Sequence, residues 1–241
     1  MAGTAPEPFS HAAVCTYKKS LFIFGGCSSA RRPGDDTPPF LDTLCSVNIE
    51  KMRWEVPTAT GKAPSPRGGC TSCLTGNWLL IFGGCVDKDS PPTDELWAFD
   101  LEASAWSQLG IRGVSPGPLV HGAAASVGNK AYFFGGKNAA EEPTNGLYLL
   151  DVVKQLWEPL DDQGGTRPTP RYGHSLLTSG TNLIMYGTPE PGPHACRSGE
   201  RCLTLSPTST SVTQVLCLHA RILMISHWHS GLPSGMAGRM P

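Results

Sequence analysis

Two clusters in this chain combine residue types and spacing that could do chemistry. Cys70 and Cys73 form a Cys-x-x-Cys pair, the spacing of thiolate zinc ligands or of a redox couple. In an extended segment the two side chains point to opposite faces, and no second pair stands at zinc-like spacing. Small core residues are the better reading. Cys217, His219, His227 and His229 give Cys-x-His followed by His-x-His, a set able to hold zinc or nickel. They lie in a stretch with no other sign of a folded core, so no functional metal site is expected. There is no phosphate-binding loop and no Gly-x-Ser-x-Gly nucleophile turn. The residues therefore point to no catalytic group, no metal and no cofactor.

Composition narrows the field further. Hydrophobic residues make up 39% of the chain and charged residues 16%, with 28 glycines and 22 prolines in 241 residues. Such a mixture suits many short strands joined by turns, because glycine supplies positive φ and proline presets turn geometry. A net charge of −1 gives no support for binding nucleic acid or an anionic membrane. No apolar run approaches 18 residues, so no membrane span is expected. The first residues lack the basic and apolar regions of a secretory signal. Nine cysteines without a disulfide-framework spacing suit a reducing intracellular compartment, cytoplasmic or nuclear.

One stretch recurs. Leu21-Phe22-Ile23-Phe24-Gly25-Gly26 returns as Leu79-Leu80-Ile81-Phe82-Gly83-Gly84 and as Ala131-Tyr132-Phe133-Phe134-Gly135-Gly136. A fourth copy, Leu183-Ile184-Met185-Tyr186-Gly187, breaks where Thr188 replaces the second glycine. The later copies lie about 52 residues apart, a period that marks a repeat architecture. Trp54, Trp106 and Trp157 follow at intervals of 52 and 51. A ring at one fixed place per repeat predicts one packing role, between neighbouring sheets. The glycine pairs predict strand ends with positive φ or close backbone approach. Cys27 and Cys85 follow equivalent pairs, with Lys137 at the third. Tyr17, Tyr132, Tyr148 and Tyr186 fit strand positions, and Tyr172 stands just before a predicted strand.

These residues resemble the kelch repeat, whose units are the four-stranded blades of a β-propeller. Phe24-Gly25-Gly26, Phe82-Gly83-Gly84 and Phe134-Gly135-Gly136 carry the likeness, with the three tryptophans. Leu96-Trp97-Ala98-Phe99-Asp100 and Leu147-Tyr148-Leu149-Leu150-Asp151 resemble the third blade strand. Pro66-Arg67-Gly68 and Pro170-Arg171-Tyr172-Gly173-His174 resemble the approach to the first. The likeness covers residues 9 to 187. It implies an all-β, incomplete kelch-type β-propeller: about three four-stranded blades and half of a fourth, then a non-kelch C-terminal tail. The expected divisions are an N-terminal tail 1–8, repeats 9–60, 61–113 and 114–165, a partial repeat 166–188, and a low-complexity, disordered tail 189–241. That last segment has no Lys or Asp but four of the seven histidines. It reads as a replacement for the remaining blades of a longer parent.

The resemblance also implies where recognition occurs. It places the lead-in to each first strand and the loop after each glycine pair at one end, around a central channel. Arg67, His121, Arg171 and His174 are expected near that mouth, and Arg31 and Arg32 in the loop 27–42. Arginines there could pair with carboxylates of a partner peptide. The structural alternative, that these residues tie blade backbone together, carries more weight. The expected function is non-enzymatic protein–protein interaction through blade loops. Alternatives are a substrate receptor of a cullin-type ubiquitin ligase, a galactose-oxidase-like copper enzyme, and an unstable truncated isoform. No adaptor-binding domain is expected ahead of the first repeat, and no constellation of copper ligands emerges. The expected partners are other proteins, with self-association through unclosed blade edges.

Overall fold

The computed structural model describes residues 6, 9–28, 40–110, 112–160, 167–180 and 182–187, together with the backbone of 202–205 and 213–215. All its regular structure is β. Four successive antiparallel sheets follow the repeat. The first contains Ala13–Tyr17, Ser20–Phe24, Leu44–Asn48 and Arg53–Glu55. The second contains Thr71–Thr75, Trp78–Phe82, Leu96–Asp100 and Ala105–Gln108, and the third Ala123–Val127, Lys130–Phe134, Leu147–Asp151 and Leu156–Pro159. These four strands of each sheet pair in sequence order, and in the third sheet Arg112–Gly113 adds a fifth, parallel to Leu156–Pro159. The first strands of consecutive sheets lie side by side, so each sheet stacks on the next.

The fourth sheet differs from the expectation of a half blade. Ser175–Ser179 and Asn182–Tyr186 form its first two strands, and Cys202–Leu205 and Thr213–Val215 complete it. These last two strands fall inside the segment expected as a disordered tail. An unpaired edge at Asn182–Tyr186 offers a row of free N–H and C=O groups, and any extended neighbouring segment can satisfy them. Pairing of this kind follows from backbone geometry and leaves no kelch-like signature in sequence. The tail cysteine and histidines, Cys217, His219, His227 and His229, lie outside the described residues, as do Arg31 and Arg32.

Stacking explains the periodic aromatics. Alternate residues of each strand face opposite neighbours. Ala13, Phe24 and Leu44 of the first sheet pack on Leu79, Ile81, Trp97, Phe99 and Trp106 of the second. Cys73, Leu80, Phe82, Leu96 and Ala98 pack in turn on Ala131, Phe133, Leu150 and Trp157. Tyr132, Phe134, Leu147 and Leu149 meet Leu176, Leu183 and Met185. Trp106 sits 5.1 Å from Phe24 and 4.9 Å from Phe99, ring to ring. Trp157 repeats the arrangement against Phe82 at 5.5 Å and Phe133 at 4.9 Å. Trp106 and Trp157 thus each fill the gap between their own sheet and the one before. The Cys70–Cys73 pair is divided across these layers: Cys73 faces the third sheet, while Cys70 packs toward the first. Burial pushes both thiols up to about 12, so neither is a thiolate at neutral pH.

The glycine pairs serve both predicted purposes. All six residues have positive φ, from 63° at Gly135 to 107° at Gly136. A Cβ on Gly25 would stand 2.5 Å from the Arg67 carbonyl oxygen, and one on Gly83 would stand 2.3 Å from that of Leu119. The lead-in of the next sheet crosses at this point. The second glycine of each pair donates its N–H to it: Gly26 to Arg67 O at 2.8 Å, Gly84 to Leu119 O at 2.9 Å, and Gly136 to Arg171 O at 2.9 Å.

Candidate functional site

The lead-ins converge at one end of the stack. Residues His11, Gly69, His121 and Gly173 occupy equivalent positions, 58, 52 and 52 residues apart. All four are in the left-handed region, with φ of 57°, 70°, 56° and 63°. They are joined in a ladder across the sheets. Gly69 N–H donates to His11 O at 2.9 Å, His121 N–H to Gly69 O at 2.7 Å, and Gly173 N–H to His121 O at 2.8 Å. A left-handed backbone is uncommon for a residue with a side chain. Here the ladder holds two histidines in it.

Alternation of histidine and glycine lets the rings meet. Gly69 leaves room for the His121 imidazole, since a Cβ there would fall 2.9 Å from its Cε1. The His121 ring then lies 5.2 Å from that of His11, edge on, and 6.4 Å from that of Tyr172. Lys137, the residue after the third glycine pair, sets its ammonium 4.3 Å above the Tyr172 ring. It also pairs with Glu141 at 3.4 Å across a short loop. That loop is held by Asn138, whose side chain accepts from the backbone N–H of Ala140 and Glu142. The His121 pKa is lowered, first by burial and then by His11 and Lys137, with Glu141 opposing. The result is a half-buried aromatic and imidazole ledge with one ammonium beside it.

The arginines expected at this mouth are turned inward. Arg67 is 1% exposed. Its Nε donates to Ser65 O at 3.1 Å, Nη1 to Gly83 O at 3.3 Å and Nη2 to Ser65 Oγ at 2.8 Å. Nη2 also pairs with Glu95 at 2.5 Å. Burial would raise the Glu95 carboxyl, but hydrogen bonds from Trp97 and Arg67, together with the Arg67 charge, hold it below the usual value. Arg67 is thus a fastener between the lead-in and its own glycine turn, with no face for a partner. Arg171 makes the same hook, with Nε to Thr169 O at 3.1 Å, Nη2 to Thr169 Oγ1 at 2.9 Å and Nη1 to Gly187 O at 3.0 Å. It is half-buried, where Arg67 is fully buried.

His174 is likewise not at the surface. It is 7% exposed, with its ring edge-on to Phe134 at 5.5 Å, between the third and fourth sheets. Neither ring nitrogen has a partner at hydrogen-bond geometry. Burial pushes its pKa down to about 4, with Arg171 adding to the effect and the Phe134 backbone opposing it. The folded value lies below the unfolded one, so the unfolded chain takes up the proton first as pH falls. The stability carried by neutral His174 is complete above about pH 6.5 and is lost as pH falls toward about 4. A shift of this size corresponds to roughly 2–4 kcal/mol. Urea unfolding followed between neutral pH and the mid-acid range should show the loss. His174→Leu should flatten the curve; an unchanged slope in that variant would mean that other groups carry it.

Of the expected residues, then, His121 stands in the ledge, Arg171 borders it, and Arg67 and His174 are interior. His11, Lys137, Glu141 and Tyr172 join the site without having been singled out for it. The signal for His11 was present: it precedes His121 at the same spacing that separates the glycine pairs. Lys137 and Tyr172 have no repeat echo and meet only in three dimensions. Among the described residues no group of three or more His, Cys, Asp or Glu is placed to hold a metal ion. No helix there is long and apolar enough to cross a membrane.

Comparison with known proteins accords with the repeated geometry. Residues 1–198 match the family model described as the KLHDC2/KLHL20/DRC7 Kelch-repeats domain. Host cell factor 2 of Homo sapiens is 26% identical over 214 residues, 77% of this chain and 27% of that protein. Adagio protein 3 of Arabidopsis thaliana is 29% identical over 78% of this chain and 30% of its own length. Acyl-CoA-binding domain-containing protein 4, also of Arabidopsis thaliana, is 36% identical over 56% of this chain and 20% of its own length. The chain spans less than a third of each of these relatives.

Proposed function

The chain belongs to the kelch-repeat family, and from that premise we propose that it is a non-enzymatic protein-interaction module that receives its partner on the His11–His121–Tyr172 ledge. The carrying observation is the left-handed ladder. It fixes two imidazoles on rigid backbone at the end where the post-glycine loops emerge. Loops on a rigid scaffold are the usual place for recognition. Half-buried rings beside a cation can take an aromatic or acidic side chain of a partner segment without large ordering cost. Lys137, held over Tyr172, supplies the charge, and the partly exposed Arg171 extends it.

Affinity purification with mass spectrometry, run on the native chain and on Tyr172→Ala and Lys137→Glu, tests this reading. Both substitutions lie at half-buried positions outside the sheet cores, so thermal stability should change little. Partners bound by the native chain should be depleted about tenfold or more, the loss typical of an interface anchor. Undiminished recovery from both variants would place recognition elsewhere on the molecule.

A further inference from the structure

The loop that follows the second glycine pair is fastened at both ends and held in its middle by one carboxylate. Cys85 and Gly68 exchange backbone hydrogen bonds at 2.9 and 3.0 Å, and Thr93 N–H donates to Gly84 O at 3.0 Å. Between them, Asp87 Oδ1 accepts from the N–H of Asp89 at 2.8 Å and of Ser90 at 2.7 Å. Its Oδ2 accepts from the Ser90 hydroxyl at 2.5 Å. Among the described residues these are the hydrogen bonds that 86–92 make, and all end on Asp87. The Ser90 hydroxyl is first among the groups that hold the Asp87 carboxyl below its usual value. The loop thus has a single keystone, and Ser90 supplies two of its three donors.

Pro91 follows Ser90, and a hydroxyl just ahead of proline is the substrate of proline-directed protein kinases. Four such pairs stand among the described residues: Ser65-Pro66, Ser90-Pro91, Ser115-Pro116 and Thr169-Pro170. Three lie in lead-ins, where the hydroxyl accepts a hydrogen bond. Ser65 accepts from Arg67 at 2.8 Å, Thr169 from Arg171 at 2.9 Å, and Ser115 from the Gly117 N–H at 3.3 Å. A kinase must draw its target segment out of the surface. The lead-ins resist this through backbone bonds to the sheet before: Arg67 N–H to Leu41 O at 3.0 Å, Leu119 N–H to Thr93 O at 3.3 Å and Arg171 N–H to Thr144 O at 3.0 Å. The segment around Ser90 resists it through Asp87 alone. Asp87, Lys88, Asp89 and Pro91 beside it are all exposed.

We propose that Ser90 is a phosphorylation site of a proline-directed protein kinase, and that the phosphate releases the loop 85–94 at the mouth. In the transfer, Ser90 Oγ attacks the γ-phosphorus of ATP, an O–P bond forms, and the bond to the β-phosphate oxygen breaks. ADP leaves, and the hydroxyl proton passes to a base of the kinase. The new group carries about −1.5 to −2 charge at neutral pH. It no longer donates to Asp87 and repels that carboxylate, so the two backbone bonds to Oδ1 are lost with it. Glu141 of the next loop stands near enough that its charge, after burial and ahead of that of Asp87, raises the Cys85 thiol. Glu141 adds to the repulsion, while Lys88, which leans on Asp89 at 3.8 Å, is the loop's one cation. This site is separate from the ledge, so the proposal stands whether or not the ledge binds a partner.

The test is treatment of the full chain with a proline-directed kinase and ATP, followed by mass-spectrometric mapping. Phosphate is expected on Ser90 at about tenfold or more the level on Ser65, Ser115 and Thr169, the ratio for segments that differ in the ease of local opening. Ser90→Ala should abolish phosphorylation of this loop and leave the fold unchanged by circular dichroism. Hydrogen exchange then reads the loop itself. Amides of 86–90 should exchange roughly tenfold or more faster in the phosphorylated chain, with the sheet strands unchanged. Asp87→Asn keeps an acceptor but has no charge to repel, so there phosphorylation should change the exchange by less than about twofold. No phosphate on Ser90, or as much on the lead-in hydroxyls, would overturn the proposal. So would a phosphorylated Ser90 with exchange of 86–90 unaltered, or equal acceleration in Asp87→Asn.

Discussion

Trp106→Ala is expected to destabilise the protein by about 3–5 kcal/mol, the usual cost of truncating a buried aromatic. The ring is 6% exposed and touches Phe24 of the first sheet and Phe99 of its own. Its loss removes contacts on both sides of one interface, and neither sheet can move in without disturbing the glycine crossing at Gly25 and Gly26. The backbone bond from Trp106 N–H to Thr60 O remains, since it involves no side-chain atom. In stacked repeats stability is roughly a sum over units and nearest-neighbour interfaces. The first sheet should therefore loosen before the third and fourth. Urea titration followed by circular dichroism measures the total. Hydrogen exchange should place the earliest losses in Ala13–Tyr17 and Ser20–Phe24. A cost below about 1 kcal/mol, or exchange rising first in the third sheet, would mean that the ring does not bind the first two sheets together.

Much of this architecture is legible in the sequence because the same interface is written three times. A lone Phe-Gly-Gly carries little, but Phe24, Phe82 and Phe134, each followed at distance by Trp54, Trp106 and Trp157, fix the sheet period and its packing partner. Two kinds of feature escape such reading. The pairing of Cys202–Leu205 and Thr213–Val215 with the fourth sheet depends on an open strand edge, which accepts backbone regardless of side chain. The ledge depends on residues that differ from repeat to repeat. Position 69 is glycine so that position 121 can be histidine, and Lys137 finds Tyr172 from a neighbouring loop. Periodicity locates such positions but does not say which of them has been given a different side chain for a reason. For Arg67 the sequence leaves two readings, a contact residue and a tie to blade backbone, with more weight on the tie; in the structure the side chain is a fastener, surrounded by carbonyls and a carboxylate.

That fastener supports the second large effect. Arg67→Leu should cost about 2–4 kcal/mol, below the full range for a buried ion pair because the Glu95 side chain is 37% exposed. The substitution leaves the Gly83 and Ser65 carbonyls without their donor and the Glu95 carboxylate without its cation, so lost desolvation adds to lost bonding. The third sheet provides the control within the same molecule. There the counterpart of Arg67 is Leu119, which is buried at 6% exposure, and the counterpart of Glu95 is Gly146. Leucine therefore fits the lead-in when no carboxylate waits for it. The double variant Arg67→Leu with Glu95→Gly should recover a substantial part of the loss, giving a coupling energy of roughly 1–3 kcal/mol in a double-mutant cycle. Chemical denaturation of the four proteins in the cycle measures it. If the double variant is no better than Arg67→Leu alone, the arginine acts through the backbone carbonyls and the ion pair contributes nothing of its own.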